Sequence, residues 1–434
     1  MPLSISRLSK PSGRSTQGQP SVLLLNIERD WFGLARLPRY LKVAGFQVKA
    51  MYPPGSLVEK TRHIDQRFPF PMLFSNPTYL GFLSILVILL RLRPDFIIPG
   101  DEKAVNLLQQ LLTVLKALPW LKGGATAATL ERSLAAKDAF PLMLNKYQFF
   151  LKCRSIGIRV PQTFIITNRF EAVERAKELG YPVVLKLANS SGGFMVKVCD
   201  DVAALEEHFE AIKAESNRWQ GGCKRLVRQL LFIPVPRNHI CLQQYIQGQV
   251  GLHAIVARCG QILSHITAYK TRTYPGSTGP SSVISGGGSA ELQEFAGRFA
   301  QSVGFNGFGS IDFIRDSATG QISLLEFNPR PVPISHLGSI TSGSDLCLAL
   351  YRDLVGLPQT AHINNDKFTI ALFPNELRRD CASEFLHARH VYHDIPEDDP
   401  ELLAHLGAMI EQSIHQTKLS PSAITVSPWT FSAE

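Results

Sequence analysis

At 434 residues, 45% of them hydrophobic and 19% charged, the chain has the composition of a soluble globular protein with room for about two to four domains. Its formal charge of +9 and pI near 9.2 suggest an anionic partner, yet Lys and Arg are spread along the sequence with no long basic block. A phosphorylated ligand accounts for that balance as well as nucleic acid does, and no zinc-finger, RNP-like or basic-zipper pattern supports nucleic acid.

The first twenty residues carry Arg7, Lys10 and Arg14 among Ser, Pro, Gly and Gln without an apolar core, which reads as a disordered tail rather than a signal peptide. Ser21 to Asn26 is a buried-strand pattern, a helical stretch follows to Ala44, Gly45 stands where a helix ends, and Phe46 to Met51 is strand-like again. Leu80 to Leu92 is almost wholly apolar but shorter than the roughly 18 to 20 residues that span a bilayer, so a buried helix is expected and no stable membrane insertion. Asp95 to Pro99 is a further strand, and Gly100-Asp101-Glu102 turns it into a helix over Lys103 to Leu118. Residues 21–125 are therefore assigned to a Rossmann-like α/β domain, although Gly-x-Gly-x-x-Gly is missing after the first strand and dinucleotide binding is not supported.

Helical periodicity runs from Thr126 to Leu151, then a strand over Phe164 to Ile166, a helix over Glu171 to Leu179, and a strand Tyr181 to Leu187 with Lys186 inside it. The small residues Ser190, Ser191, Gly192 and Gly193 follow, a loop whose successive N–H groups can approach phosphate oxygens while Lys186 offsets their charge; a plain hairpin turn is the other reading. Cys241 to Ile246 is a strand, and Leu252 to Arg258 pairs with Gln261 to Thr267 across Cys259-Gly260. The Gly- and Ser-rich run Tyr274 to Ser289 reads as a loop, either mobile over a site or passive. A helix over Ser344 to Val355 precedes a final stretch of mixed pattern. The seven cysteines form no Cys-x-x-Cys pair and suit reduced thiols in a cytoplasmic protein. His387, His390 and His393 are spaced so that they drift round a helix, and surface histidines are preferred to a metal site.

One stretch carries more chemistry. Ser310 to Ile314 and Gln321 to Phe327 flank a turn cluster and predict a β-hairpin. Symmetry about Thr319 sets Asp312 opposite Glu326, and Asn328 projects from the same face. Like charges facing each other destabilise a hairpin, and a hard cation relieves them: Mg²⁺ takes one or two carboxylates and shares its shell with substrate phosphates. A solvated hairpin face, or a bulge that shifts the register, is the alternative.

The order Asn145-Lys146, Gly157-Ile158 with Pro161, Pro182-Val183-Val184-Leu185-Lys186, the Ser-Gly loop, Gln243-Gln244-Tyr245-Ile246-x-Gly, a strand Asp and Glu326-Phe327-Asn328-Pro329-Arg330 resembles the ATP-grasp superfamily over residues 21–355. The likeness is strongest to its carboxylate-amine ligase and carbamoyl-phosphate-synthetase-like branch. The resemblance implies a Rossmann-like pre-ATP-grasp domain, an ATP-grasp small subdomain over 126–240 containing an insertion at 216–238, a large subdomain over 241–355, and a C-terminal extension over 356–434. It implies ATP and Mg²⁺ (or Mn²⁺) as cofactors, with Lys146, Lys186 and Ser190 to Gly193 on the phosphates and Gln243 to Ile246 along the adenine. It also implies Asp312, Glu326 and Asn328 as metal ligands, and Arg330 with Lys270 or Arg272 on the transferred phosphoryl group or substrate carboxylate.

The chain departs from the family at Gln243, often an acid, and at Gln249 and Val250, where a second acid is common. Pro331-Val332-Pro333-Ile334 replaces the Gln-Val-Glu of biotin-dependent carboxylases, so that reading loses its general base. The expected activity is an ADP-forming carboxylate–amine ligase working through an acyl phosphate on small-molecule carboxylate and amine substrates. A phosphotransferase, or a nucleotide-binding protein without catalysis, is the alternative. Such ligases commonly form homodimers.

Overall fold

The computed structural model describes residues 19–29, 32–70, 79–117, 124–188, 196–220, 239–276, 279–341, 345–359 and 368–416. Ser190 to Gly193, most of the 216–238 insertion and residues 1–18 of the expected tail lie outside them.

The first sheet is parallel throughout. Strands β1 (Ser21–Leu25), β2 (Gln47–Tyr52), β3 (Gln66–Pro69) and β4 (Phe96–Pro99) lie in the order β3-β2-β1-β4. Every residue of β1 and β4 is buried, which explains their continuous apolar runs. Gly45 ends the helix Leu37–Ala44 with φ 113°, its N–H donating to Leu41 and Lys42 carbonyls, a conformation that glycine adopts without strain. The helix Glu102–Ala117 returns across the sheet from β4.

A second sheet holds β5 (Thr163–Ile166), β6 (Val183–Leu187), β7 (Lys197–Cys199) and β8 (Ile240–Gln244) in the order β5-β8-β6-β7, all antiparallel. The helices Arg169–Leu179 and Val202–Gln220 join its core, in which Leu185, Phe209 and Leu242 are buried.

The third sheet is the largest. Strands β9 (Gly248–Arg258), β10 (Gln261–Thr273), β11 (Ser281–Gly286), β12 (Gly307–Asp316), β13 (Ile322–Asn328), β14 (Thr369–Ala371) and β15 (Tyr392–His393) run in the order β13-β12-β9-β10-β11-β14-β15. Cys259 (φ 50°) and Gly260 (φ 79°) make the expected two-residue turn between β9 and β10. One core packs this sheet on the first through the helices Leu37–Ala44 and Leu346–Val355; a second packs it on Ala290–Ser302 and Lys146–Ser155.

Three expectations need correction. Ser281 to Ser289 is no loop through most of its length: β11 is a largely buried strand between β10 and β14, and just past it the Tyr269 ring lies 2.2 Å from any Cβ placed on Gly287. The sheet does not end at 355, because β14 and β15 extend it. The apolar helix Tyr79–Leu92 is buried on one side only: Ile85 and Leu89 are covered, whereas Leu83, Val87 and Leu90 face solvent.

Candidate active site

The hairpin of β12 and β13 pairs Asp312 with Glu326 and Ser310 with Asn328, as the sequence symmetry predicts. The route to that register differs from the expected one. Nearer the turn, Phe313 pairs with Leu324 and Arg315 with Ile322, so a bulge at Leu325 lies between the two registers. Without that extra residue Asp312 would face Leu325, and the bulge is what brings the second carboxylate opposite the first. Asn328 donates its side-chain N–H to Asp312 Oδ1 at 3.4 Å, gathering all three side chains on one patch.

Two lysines meet this patch from outside the sheet. Asn145 caps the helix Lys146–Ser155, its Oδ1 accepting from Gln148 N, and so stands before the helix rather than in it. The Lys146 N–H donates to the carbonyl of Ala188 at the end of β6, and Lys146 Nζ lies 3.2 Å from Glu326 Oε2. Lys186, inside β6, donates from Nζ to Gln243 Oε1 at 2.9 Å and sits 4.9 Å above the Phe150 ring. Val184 pairs with Gln243, so Lys186 is its diagonal neighbour on the same face of the sheet.

The electrostatics follow from burial. Desolvation, with the Lys146 charge beside it, pulls Lys186 down to about 8, although Glu326 partly opposes the shift. Desolvation raises Glu326 above the usual carboxylate range; Lys146 works against it and Asp312 adds to it. Two buried lysines and two half-buried carboxylates thus meet in the cleft between the second sheet and the hairpin.

Gln243, expected along the adenine, is hydrogen-bonded within the chain. Its Oε1 accepts from Lys186, its Nε2 donates to Thr163 Oγ1 at 2.9 Å, and the residue is buried. The bond to Thr163 orients the amide so that its oxygen faces the lysine, and each bond uses one of the two acceptor or two donor positions of the group. Of the residues after it, Gln244 and Tyr245 are exposed and Ile246 is half-buried.

The expected cations beyond the hairpin separate. Arg330 is buried, and its Nη2 donates to Glu102 Oε1 at 2.6 Å, tying the end of the hairpin to the crevice above β4. Lys270 follows Ala268 on the same face of β10; since Ala268 pairs with Leu252 and Leu252 with Asp312, Lys270 stands on the hairpin's side of the sheet, roughly 12 Å from Asp312. Arg272 lies past a bulge, 3.7 Å from Glu384 and 5.4 Å from the Phe385 ring centroid, and is directed to the C-terminal segment. Asp101, adjacent to Glu102, is spent on the backbone: it accepts from Ile27, Glu28 and Ala104 N–H groups, holding the ends of β1 and β4 together.

Thr163 and Phe150 escaped sequence reasoning as members of this group, whereas Glu102, expected with Asp101 among the substrate contacts, pairs with Arg330. Nothing local marks the first two, since each is recruited by pairing or packing between distant segments. Among the described residues no group of three His, Cys, Asp or Glu side chains gathers, and His393 Nε2 lies 3.1 Å from the Phe385 carbonyl oxygen.

Residues 145–234 match the family model for the carbamoyl-phosphate synthase L chain, ATP binding domain. The carbamoyl phosphate synthase large chain of Methanosarcina acetivorans is 22% identical over 272 residues, 59% of this chain; the match spans only 22% of the synthase's length. The D-alanine–D-alanine ligase of Ectopseudomonas mendocina is 26% identical over 233 residues, 50% of this chain and 67% of the ligase. Among solved structures, the biotin carboxylase domain dimer of Hydrogenobacter thermophilus 2-oxoglutarate carboxylase, complexed with MgADP, ADP and bicarbonate, superposes with a TM-score of 0.58 at 19% identity. It covers 80% of this chain and 72% of its own, and the likeness is one of fold, mixed α/β throughout.

Proposed function

We propose that this chain, a member of the ATP-grasp superfamily, is an ATP-dependent, ADP-forming ligase that joins a small carboxylic acid to an amine through an acyl phosphate. The observation that carries the reading is the meeting of Lys146 and Lys186 with the Asp312, Glu326 and Asn328 patch, anchored by the 3.2 Å Lys146–Glu326 pair. Residues 21–125, with parallel order β3-β2-β1-β4, are read as the Rossmann-like domain that holds substrate at the C-terminal ends of its strands.

The donor set fits Mg²⁺ or Mn²⁺: two carboxylates and an amide, all offering hard oxygen donors, with Lys146 offsetting part of their charge. Asp312, Glu326 and Asn328 would hold the ion, which when bound supplies charge neutralisation for the transferring phosphoryl group. Lys146 and Lys186 are positioned to bind phosphate oxygens, and Gln243 fixes Lys186 without neutralising it. The loop Ser190 to Gly193 is assigned to the same phosphates, and Gln244 to Ile246 to the edge of the base. Arg330, reached from the metal hairpin and from Glu102 together, is assigned to the substrate carboxylate or its phosphoryl group; Lys270 is the second cation on that side.

A carboxylate resists amine attack because its leaving group is oxide. Transfer of the γ-phosphoryl group to the carboxylate oxygen, with ADP departing, makes phosphate the leaving group instead. An amine then attacks the acyl carbon, losing a proton and expelling phosphate to give the amide. Buried lysines stabilise the charge of the first step more than exposed ones do. A homodimer is proposed by analogy with the carboxylase domain dimer.

The test is ADP release from Mg-ATP with pooled carboxylic acids and hydroxylamine as a generic amine. Hydroxamate together with ADP, both absent in Glu326→Gln, is the expected result. ATP binding without hydroxamate from a broad pool would overturn the ligase reading in favour of a phosphotransferase or a silent nucleotide binder.

A further inference from the structure

The helix Tyr79–Leu92 is apolar on every side, with only Tyr79, Ser84 and Arg91 polar. A helix of that kind is normally covered all round. Here Gly81, Ile85 and Leu89 form the covered side, Gly81 lying so close to the Phe70 ring that a Cβ would stand 2.7 Å from it. Leu83, Val87 and Leu90, spaced i, i+4, i+7 on the opposite side, are 53%, 59% and 52% exposed. Three large aliphatic side chains in one stripe, each more than half exposed, need an apolar partner.

Charge selects among partners. Between Asp65 and Asp95 the sequence contains Arg67, Arg91 and Arg93 and no acidic residue, and Arg91 and Arg93 stand exposed at the end of the stripe. Two copies meeting through this face would bring arginines together with no carboxylate of the helix to offset them. An anionic lipid surface supplies both an apolar layer and the opposite charge. The helix is about 21 Å long at the usual rise, short of a hydrocarbon core of roughly 30 Å, and no described helix is long and apolar enough to cross a membrane.

We propose that the helix Tyr79–Leu92 is a peripheral membrane-docking face, its Leu83, Val87 and Leu90 stripe lying in the headgroup layer while Arg91 and Arg93 engage anionic lipid. The inference is independent of the ligase reading and does not involve the cleft.

Flotation of the full-length protein with phosphatidylcholine vesicles, with and without phosphatidylglycerol, tests it. The wild-type chain is expected to float with the anionic vesicles and to release in high salt. The triple variant Leu83→Ser, Val87→Ser, Leu90→Ser is expected to stay behind with an unchanged Tm, because those side chains touch solvent. Arg91→Glu and Arg93→Glu should each weaken binding about fivefold, and they keep the test valid if the triple variant fails to fold. Equal binding to neutral and anionic vesicles would overturn the choice of an anionic surface. No flotation, together with sedimentation showing self-association that the triple variant abolishes, would make a second copy the occupant. No flotation and no such association would overturn the proposal outright.

Discussion

Replacing Gln243 by leucine is the sharpest probe of the lysine pair. The substitution keeps side-chain size but removes the acceptor 2.9 Å from Lys186 Nζ and the donor to Thr163 Oγ1. A hydrogen bond to a charged group contributes about 1.5–3 kcal/mol, which is about one to two pKa units. Lys186 already lies at about 8 through burial and the neighbouring Lys146. Losing the acceptor lowers it further, so a smaller share of the population is charged at pH 7.5. If phosphate binding requires the charged form, a loss of about one to two units cuts ATP affinity at pH 7.5 roughly three- to twenty-five-fold, and the affinity recovers as the pH is lowered. Gln243→Glu should act oppositely, holding Lys186 charged to higher pH. Calorimetric titration with ATP between pH 6 and 9 reads both effects. Wild-type affinity and an unmoved pH midpoint in Gln243→Leu would refute the view that this amide sustains the lysine's charge.

Four further outcomes are expected. Glu326→Gln should abolish ADP release while preserving the circular dichroism spectrum, since the side chain lies in the cleft and the isosteric amide fits the hairpin. Lys186 has a folded pKa below its unfolded value, so the unfolded chain binds more protons between about 8 and 10.5; its contribution to wild-type stability therefore rises with pH across that window, a slope that Lys186→Met should remove in urea titrations. Asp394→Asn should cost about 3 kcal/mol in the same titrations, because the buried carboxylate serves Arg36 at 3.0 Å and His336 at 2.9 Å; a change below 1 kcal/mol would contradict that accounting. Gly248→Ala should destabilise by several kcal/mol or prevent folding, since a Cβ there would stand 2.1 Å from the Arg315 carbonyl oxygen, whereas Gly320→Ala meets no neighbour and should show only the milder strain of its φ of 70°.

What the sequence revealed depended on whether the determining contacts were local. The facing of Asp312 and Glu326 was legible because a hairpin's register follows from a short turn and a period of two. The bulge at Leu325 was not, because the turn closes half a residue away from Thr319 and the bulge restores the sum; the two departures cancel at the site. Lys146 and Lys186 were found through motif order. The role of Gln243 was hidden because β6 and β8 pair across a connection of some fifty residues, and only that pairing sets the amide against the lysine. The Ser- and Gly-rich run before Ala290 looked like a loop on composition, yet β10 and β14 supply the ladder that propensity withholds, and the bulk of Tyr269 requires glycine at position 287.

The C-terminal segment joins these parts into one unit. Asp394, one residue past β15, accepts from Arg36 of the first domain and from His336, six residues beyond Arg330. Asp398 and Asp399 receive Arg39, His63 and the Thr61 hydroxyl, so three carboxylates from one short segment clasp the first domain. Gly33 presses on Pro333 within the same stretch, and Arg330 reaches Glu102 across the crevice. The loop from Arg330 to His336 is therefore fixed at both ends, by β13 with Glu102 at one and by Asp394 at the other. In the role proposed for Arg330, on a transferring phosphoryl group or a carboxylate, such fixing matters, since a shift of about 1 Å at the reacting atoms can cost two orders of magnitude in rate. The residues beyond 355 are, on this geometry, part of the apparatus that holds Arg330 in place.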